Sequence, residues 1–341
     1  MPKLPILLVL LAGTASAFQA PCPALRVARA AASRLSDARM QAPRGGEHEK
    51  LSHELQADRR NFLKSSILAP VAASSAFAVL GRVESAGALA PAPQGTKVVV
   101  FGGNGFVGSR VSEQLVAAGA KVVSISRSGA PPVWAKGQEW MSKVSWVKGD
   151  PIKEDWSDSL AGSAAVVSCI GVIGGSDESM VLGNGAVNVA VAQQTASAGV
   201  DKMVYISVSD AVGGAVGGFA LKGYFKGKKE AEAAITKSFG KTAVILAPTF
   251  IYGGDEFSAT PPRVAEGYGS FVEGALSSGP IRALAGVMPG IVALALLPPV
   301  SVNSLATAAA GAALGTVKAG RVDGTDAINA AAAAAAAVAS P

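Results

Sequence analysis

Short apolar runs alternate with amphipathic segments from residue 97 onward, and this alternation predicts strands joined by helices. Apolar runs typical of strands lie at 97–100, 121–126, 144–147, 165–170, 202–209 and 243–253. Helical patterns separate them at 110–118 and 181–198. The run at 165–170 is almost continuously apolar, which indicates a strand buried on both faces. The pattern therefore predicts one α/β domain, a doubly wound parallel sheet over residues 97–325.

The first predicted strand ends in a glycine-rich turn, and a helical pattern follows it directly. Gly102, Gly105 and Gly108 have the GxxGxxG spacing of a dinucleotide-binding turn. Gly102 permits a tight exit from the strand, Gly105 lets the backbone approach a pyrophosphate, and Gly108 lets the helix pack closely. The residues predicted to contact the dinucleotide are Gly102, Gly105, Phe106, Val107 and Gly108. The alternative is a glycine-rich loop that has lost its ligand.

Residues at the ends of the next three strands bear on the choice of dinucleotide. Arg127 lies where NAD-specific folds carry an acidic residue, and Ser126 and Ser128 flank it. A guanidinium and two hydroxyls suit a 2′-phosphate, so NADP(H) is the favoured cofactor. The alternative cofactor is NAD(H), in which case Arg127 is a solvated loop residue. Asp150 is expected beside the adenine. Gly171 is expected to place flexible backbone at the ligand edge of the sheet.

The composition excludes several classes of function. Half of the 341 residues are hydrophobic, which is typical of a globular protein. The net charge of +6 lies mostly in residues 1–96, where 11 Lys and Arg face 6 Asp and Glu; the remaining residues carry 19 against 18. Nucleic acid is therefore not an expected partner. Both histidines lie before residue 97 and Cys169 is the one cysteine after it, so histidine-based catalysis, a disulfide within the domain and a His/Cys zinc site are not expected there.

The first 96 residues have the composition of targeting segments. Residues 1–17 resemble a signal peptide, and 18–57 are rich in Arg and Ala like a plastid transit segment. Residues 58–88 begin with a twin-arginine pattern typical of thylakoid export, and 89–96 are expected to be a linker. The predicted location is the plastid, in the thylakoid lumen or at the thylakoid membrane. The stroma, the mitochondrion and secretion with a basic pro-segment are the alternatives.

Tyr224 and Lys228 are the predicted catalytic pair. Four residues apart, they lie on one face of a helix. An ammonium beside a phenol favours the phenolate, which lowers the pKa of the tyrosine and suits it to carbonyl–alcohol interconversion. Ser209 at the end of the preceding strand is expected to hold the substrate oxygen. The alternative is a solvated, lysine-rich helix start. Cys169 is expected to be a small buried residue and not a nucleophile.

These residues resemble the short-chain dehydrogenase/reductase superfamily in its extended or atypical, epimerase/dehydratase-like branch. The glycines match its cofactor turn, Ser209 or Ser207 its serine, and Tyr224 with Lys228 its YxxxK pair. The resemblance covers about residues 97–320 and implies a Rossmann fold with a small C-terminal cap. It is closest to plastid and mitochondrial members associated with quinone biosynthesis and with a respiratory complex I accessory subunit. One departure is Ala247, which occupies the place of the usual arginine.

The cap and the tail complete the prediction. The cap is expected at about 255–300, and its apolar stretch at 281–300 suits a lipophilic ligand or a membrane surface, with ordinary core packing as the alternative. Residues 326–341 are expected to form an Ala-rich tail, a frayed helix without chemistry. The sequence thus predicts an oxidoreductase that uses NADP(H) on a lipophilic carbonyl, alcohol or quinone-like substrate. The alternative is a non-catalytic, nucleotide-binding structural or assembly subunit of a membrane electron-transport complex.

Overall fold

The computed structural model describes residues 87–216, 221–254, 258–259, 262–263, 266–277 and 296–338. All of these residues belong to the compact unit Gly81–Pro341. The targeting segments predicted for 1–17 and 18–57 lie outside the described residues, as do all but the last two residues of the segment predicted for 58–88. So does most of the apolar stretch predicted to form the cap, between 278 and 295.

A parallel sheet of seven strands forms the centre of the domain. The strands of the described chain are β1 (Lys97–Phe101), β2 (Lys121–Ser126), β3 (Val144–Lys148), β4 (Ala165–Ser168), β5 (Met203–Ile206), β6 (Ala243–Ala247), β7 (Ile251–Tyr252), β8 (Ser258–Ala259), β9 (Pro262–Arg263), β10 (Val300–Ser301) and β11 (Gly320–Asp323). The central sheet has the order β3-β2-β1-β4-β5-β6-β11. This order reverses direction between β1 and β4, and parallel α/β sheets bind their ligands at such a point. The predicted doubly wound α/β fold is confirmed.

Helices cover both faces of the sheet. They are α1 (Phe106–Ala117), α2 (Ser157–Leu160), α3 (Asp177–Val181), α4 (Val187–Ser197), α5 (Asp210–Val216), α6 (Lys222–Phe239), α7 (Glu266–Leu276), α8 (Val302–Leu314) and α9 (Gly324–Ala337). A π-helical turn, Leu182–Ala186, joins α3 to α4. Within the described ranges, no helix is both long and apolar enough to cross a membrane.

Alternate residues of β1 contribute to two different hydrophobic cores, as the pleat of a strand requires. Val98 and Val100 pack in the core that contains residues of α1, α8 and α9. Val99 and Phe101 pack in the core that contains residues of α2, α4 and α6. All four side chains are fully buried, which explains why the sequence of β1 is an unbroken apolar run.

The fraying predicted for the Ala-rich tail at 326–341 is wrong, because residues 326–337 belong to a packed helix. Helix α9 buries Ile328, Ala332 and Ala335 on one face and packs against α8. The two helices approach so closely that a Cβ atom built on Gly311 of α8 would lie 2.4 Å from the Cβ atom of Ala335. The domain therefore continues through α9, with the edge strand β11 before it.

The predicted linker at 89–96 also belongs to the domain. Leu89 is buried, and it packs in the same core as α1 and α8. The backbone N–H of Ala92 donates a 2.7 Å hydrogen bond to the carbonyl of Ala118, just after α1. This segment is fixed to the domain and does not act as a free spacer.

A buried carboxylate fixes the described part of the predicted cap. Glu273 of α7 is 5% exposed. It accepts one hydrogen bond from the Tyr252 hydroxyl of β7, at 2.7 Å, and one from the Asn329 side-chain amide of α9, at 2.6 Å. Because a buried charge needs such donors, these contacts tie α7 to both neighbouring elements.

Candidate nucleotide-binding site

The glycine turn has the geometry that a dinucleotide-binding loop requires. Gly102 has a φ of +77°, which favours glycine, and its N–H donates to the carbonyl of Ile125 in β2 at 2.8 Å. The N–H of Gly105 donates to the Gly102 carbonyl at 3.0 Å, which closes the turn. Helix α1 begins at the next residue, and no side chain caps it. A helix N-terminus in this setting is suited to a pyrophosphate.

The space around the glycines fits a closely approaching ligand. A Cβ atom built on Gly108 would lie 2.2 Å from the Gly102 carbonyl oxygen, so α1 can pack here only with glycine. A Cβ atom on Gly105 would lie 3.1 Å from that same oxygen, a contact that a small shift relieves. Gly105 is exposed, so its missing side chain leaves room outside the turn. Sequence reasoning missed Gly103, whose Cβ atom would lie 2.3 Å from the Oγ of Ser124.

The end of β2 places polar groups beside this turn. Arg127 is exposed directly after β2. The side-chain amide of Asn104, within the turn, donates a 2.7 Å hydrogen bond to the Oγ of Ser128. Asn104 was not among the predicted residues, although a polar side chain between Gly103 and Gly105 is the signal that could have identified it. The structure thus brings the glycine turn and the predicted phosphate-reading segment into contact.

Asp150 lies just beyond the end of β3, and its carboxylate is part of a local turn. Its Oδ1 accepts a hydrogen bond from the N–H of Ile152 at 3.1 Å. Its own N–H donates to the Glu154 carboxylate at 3.0 Å. The residue is partly buried. Its position beside an adenine therefore stays a prediction.

Two buried asparagines fix the loop that follows β4. The Asn184 side chain accepts from the N–H of Val172 at 3.0 Å and donates to the Val172 carbonyl at 2.6 Å. Asn188 accepts from the Ser168 hydroxyl at 2.5 Å and donates to the carbonyl of Asn184 at 2.9 Å. Both asparagines are fully buried. They hold the backbone around Gly171 in place, a role that sequence reasoning left open.

Lys228 lies at the carboxyl edge of the sheet beside this loop. Its Nζ donates to the carbonyl of Ile206, the last residue of β5, at 2.8 Å. It also donates to the carbonyl of Ile170, just after β4, at 3.4 Å. A Cβ atom built on Gly171 would lie 3.5 Å from Nζ. Lys228 is 4% exposed, and this burial lowers its pKa to about 8. The lysine therefore loses its charge far more easily than a surface lysine.

The predicted electrostatic effect of Lys228 on Tyr224 is wrong for this structure. The Lys228 Nζ is 5.8 Å from the centre of the Tyr224 ring. Burial of the phenol raises the pKa of Tyr224 to about 12 and outweighs any stabilisation of the phenolate. The phenol is therefore protonated at neutral pH. Cys169 agrees with the expectation for a non-nucleophilic residue, because burial raises the pKa of its thiol to about 12.

The hydroxyl of the predicted serine is bound to a carboxylate of the edge strand. The Ser209 hydroxyl donates to the Asp323 carboxylate of β11 at 2.6 Å and accepts from the N–H of Ala211. Ser209 thus caps the first turn of α5 and anchors it to the edge strand. The alternative, Ser207, donates its hydroxyl to Glu232 of α6. Each serine therefore donates its hydroxyl proton to a carboxylate, and a substrate oxygen would need that same proton.

Arg321 of β11 organises these carboxylates. It contacts Glu232 at 2.6 Å, Asp323 at 3.0 Å and Asp210 at 3.2 Å, and it donates to the Val208 carbonyl at 3.0 Å. Ala247, where the family pattern has an arginine, is fully buried in β6 and pairs in register with Asp323. The guanidinium near this end of the sheet therefore comes from the neighbouring strand.

Taken together, the site can hold a dinucleotide along the carboxyl edge of the sheet. The glycine turn, the polar end of β2 and the buried Lys228 lie at successive strand ends of that edge. Among the described residues, no group of three or more His, Cys, Asp and Glu side chains is arranged to bind a metal ion.

Known proteins share parts of this sequence. An uncharacterized chloroplastic protein of Arabidopsis thaliana is 42% identical over 158 residues, which cover 46% of this chain and 51% of that protein. MIOREX complex component 2 of Saccharomyces cerevisiae is 40% identical over 80 residues, which cover 23% of this chain and 29% of that protein. The matched regions thus span about half or less of each relative.

Solved structures overlap with the backbone in part. A UDP-N-acetylglucosamine 4-epimerase from Methanobrevibacter ruminantium, in complex with UDP-N-acetylmuramic acid, is 17% identical and covers 68% of this chain and 76% of that chain, with a TM-score of 0.49. The Bordetella bronchiseptica enzyme WbmH, in complex with NAD+, is 19% identical and covers 67% of this chain and 75% of that chain, with a TM-score of 0.47. These values describe backbone similarity alone.

The family model of NAD(P)H-binding proteins matches residues 102–280, more than half of the sequence, and the chain belongs to that family.

Proposed function

We propose that the protein is an NADP(H)-dependent oxidoreductase of the plastid that acts on a lipophilic carbonyl, alcohol or quinone-like substrate. One observation carries this proposal. Tyr224 and Lys228 share a face of α6, and Lys228 is bonded to the carboxyl ends of β4 and β5, at the sheet edge where the glycine turn lies. This arrangement supports a proton donor and a titratable amine near the proposed dinucleotide site.

The protonation state of Tyr224 suits reduction. When bound, a nicotinamide dinucleotide would supply the hydride for the carbonyl carbon of the substrate. The protonated phenol of Tyr224 can donate its proton to the carbonyl oxygen, which becomes the alcohol. Lys228, with a pKa lowered to about 8, can then return a proton to the phenolate. In the reverse direction the same groups accept the alcohol proton.

The surroundings of Tyr224 favour a lipophilic substrate. Its ring meets that of Phe225 edge-to-face, with 5.3 Å between the ring centres. The apolar cluster around Val212 and Phe225 also includes Val208, Ala215, Leu221, Tyr224, Phe250 and Leu297. A sugar would lose hydration against this apolar cluster, whereas a lipophilic substrate would gain from the contact.

The cofactor and the location are argued separately. Arg127 with Ser126 and Ser128 favours NADP(H), since these groups are donors suited to a 2′-phosphate. The plastid is supported by the leader composition and by the relative in Arabidopsis thaliana that is named chloroplastic. The twin-arginine pattern at 58–88 of this chain favours the thylakoid lumen or membrane.

A non-catalytic role is the second candidate, and a specific observation favours it. Ser207 and Ser209 both donate their hydroxyl protons to carboxylates, so neither serine is arranged to stabilise a substrate oxygen. In this case the dinucleotide would be a structural ligand of a membrane-complex subunit. The yeast relative, named as a complex component, is consistent with that role.

Turnover with the full chain separates the two candidates. NADPH oxidation is measured with prenylquinones and with long-chain aldehydes, and NADPH binding is measured by fluorescence in parallel. The enzyme proposal expects turnover that falls at least about 100-fold in Tyr224→Phe while NADPH binding is retained. Binding without any turnover, or turnover that Tyr224→Phe leaves unchanged, would overturn the enzyme proposal. Binding without turnover is what the second candidate expects.

A further inference from the structure

We propose that Asn104 and Ser128 together set the preference for a 2′-phosphorylated dinucleotide, an inference that rests on the NADP(H) preference proposed above. Asn104 belongs to the glycine turn, and Ser128 follows β2. The hydrogen bond between them joins the segment expected to bind the pyrophosphate to the segment expected to bind the ribose. Asn104 acts as a positioning residue, through the hydroxyl of Ser128.

The hydrogen bonds of Ser128 leave its hydroxyl able only to donate. A serine oxygen has two lone pairs and one proton. The Asn104 amide donates to this oxygen at 2.7 Å, and the N–H of Ala130 donates to it at 3.2 Å. Both lone pairs are therefore occupied. The proton of Ser128 is what remains for a ligand.

Ser126 holds that proton only weakly. The Oγ atoms of Ser126 and Ser128 are 3.5 Å apart, at the limit of a hydrogen bond. Because the Ser128 oxygen already accepts two bonds, Ser128 is the donor in this contact. The Oγ of Ser126 also accepts from the N–H of Gly129 at 3.2 Å, so its own proton is left to donate as well. Turning either proton toward a phosphate would cost little.

The neighbouring charges fit the same ligand. Arg127 is exposed between the two serines. Arg110 is stacked on Trp134, with 3.3 Å between its guanidinium carbon and the ring centre, and pairs with Glu113 at 3.3 Å. The charge of Arg110 is thus partly compensated by Glu113, so Arg127 is the cation proposed for the phosphate. Two hydroxyl donors with Arg127 match a dianionic phosphate, since hydrogen bonds to a charged group are roughly twice as strong as neutral ones.

Asn104→Asp is the critical variant because it reverses the hydrogen bond with almost no change in shape. A carboxylate at this position can only accept, so it would take the Ser128 proton and would add a negative charge beside the phosphate. Ser128→Ala removes the donor, and Ser128→Thr keeps it as the matched control. Arg127→Ala tests the underlying NADP(H) preference independently.

The test uses the full chain and the adenosine ends of the two dinucleotides. Calorimetry with 2′,5′-ADP and 5′-AMP gives the ratio of their affinities, and thermal unfolding checks that each variant is folded. The wild type is expected to bind 2′,5′-ADP at least about tenfold more tightly. Asn104→Asp should lower this ratio about tenfold and Ser128→Ala about threefold, with Ser128→Thr like the wild type.

The two proposals fail in different ways. Equal binding of both probes by the wild type would overturn the proposed NADP(H) preference and this inference with it. If Arg127→Ala removes the preference while folded Asn104→Asp and Ser128→Ala retain it, the role of Asn104 and Ser128 is overturned and the NADP(H) preference stands. Loss of both affinities in equal proportion would also overturn the inference.

Discussion

Lys228 donates a 2.8 Å hydrogen bond to the carbonyl oxygen of Ile206, so an amine on α6 caps the carboxyl end of β5. This contact explains how a lysine can be 96% buried, since a backbone carbonyl partly replaces its lost hydration. It also fixes α6 against the sheet at the level of Tyr224. The helix that carries the predicted catalytic pair is thus oriented by one member of that pair.

The burial of Lys228 predicts a pH dependence of stability. Its pKa falls from 10.5 to about 8, mainly because burial penalises the charged form. Between these values the unfolded chain holds a proton that the folded protein has released, so the free energy of unfolding rises with pH. Compared with Lys228→Met, the wild type should therefore gain stability from pH 7 to pH 9. Urea unfolding at each pH measures the difference.

The upper limit of that pH range matters, because other buried groups act in the opposite direction. The thiol of Cys169 has a pKa raised from 9.0 to about 12, so above pH 9 the unfolded chain releases this proton first. Lys229, the exposed neighbour of Lys228, provides the control, and Lys229→Met should follow the wild-type profile. A constant difference between the wild type and Lys228→Met would contradict the prediction.

Two glycines of the turn should respond differently to alanine. Gly108→Ala places a Cβ atom 2.2 Å from a backbone carbonyl that cannot move aside, so we expect a loss of about 3 kcal/mol or more. Gly105→Ala meets the same carbonyl at 3.1 Å and should cost less than about 1 kcal/mol. Gly105→Ala should nevertheless weaken NADPH binding at least about tenfold, because its methyl group occupies the approach to the pyrophosphate.

Thermal unfolding and fluorescence titration separate these two effects. A stable Gly105→Ala variant with wild-type NADPH affinity would show that the dinucleotide does not approach this residue. A stable Gly108→Ala variant would show that α1 can move away from the turn.

The sequence predicts the elements whose signals are local. The turn from Gly102 to Gly108 is recognisable because Gly102 has a positive φ, and because side chains at Gly105 and Gly108 would meet the nearby carbonyl of Gly102. The contacts of Ser209 could not be predicted in this way, since its partner Asp323 lies 114 positions further along the chain. Strand β11, which carries Asp323, is four residues long and only partly buried, so it has no apolar run to reveal it.

The packing of helix α9 was not predicted, for a different reason. Its sequence from residue 330 is an alanine tract, which has no contrast between apolar and polar positions to indicate a buried face. Helix α8 is nearly as uniform, and eleven of its thirteen residues are buried. Small side chains on both helices allow the close contact at Gly311, which shows only in the assembled structure.

Asn184 should be sensitive to a nearly isosteric change. Its amide donates to the carbonyls of Val172 and Met180, at 2.6 and 2.8 Å, in a fully buried position. In Asn184→Asp, carboxylate oxygens would face both carbonyls, so we expect a loss of about 3 kcal/mol or more. Asn303→Asp is the control, because an acid in the first turn of α8 should change stability by less than about 0.5 kcal/mol. Equal effects of the two substitutions on urea unfolding would contradict this role.

The pair of Arg321 and Glu232 should show strong energetic coupling. Their 2.6 Å contact is three-quarters or more buried, and it joins α6 to the edge strand β11. Removing either partner leaves a charge with reduced compensation near the Ser207 hydroxyl, so each alanine variant should be destabilised and the double variant should lose less than the sum. We expect a coupling free energy of about 1–3 kcal/mol from a double-mutant cycle.

A second cycle on Lys143 and Glu139 tests whether burial is the cause. These residues form a 2.8 Å ion pair with side chains that are 58% and 84% exposed. Because water screens such a pair, its cycle should give no measurable coupling, although its distance is almost the same. Similar coupling in both cycles would mean that proximity alone determines the energy. Strong coupling confined to Arg321 and Glu232 would support β11 as the element that fixes α6, and Tyr224 with it, against the sheet.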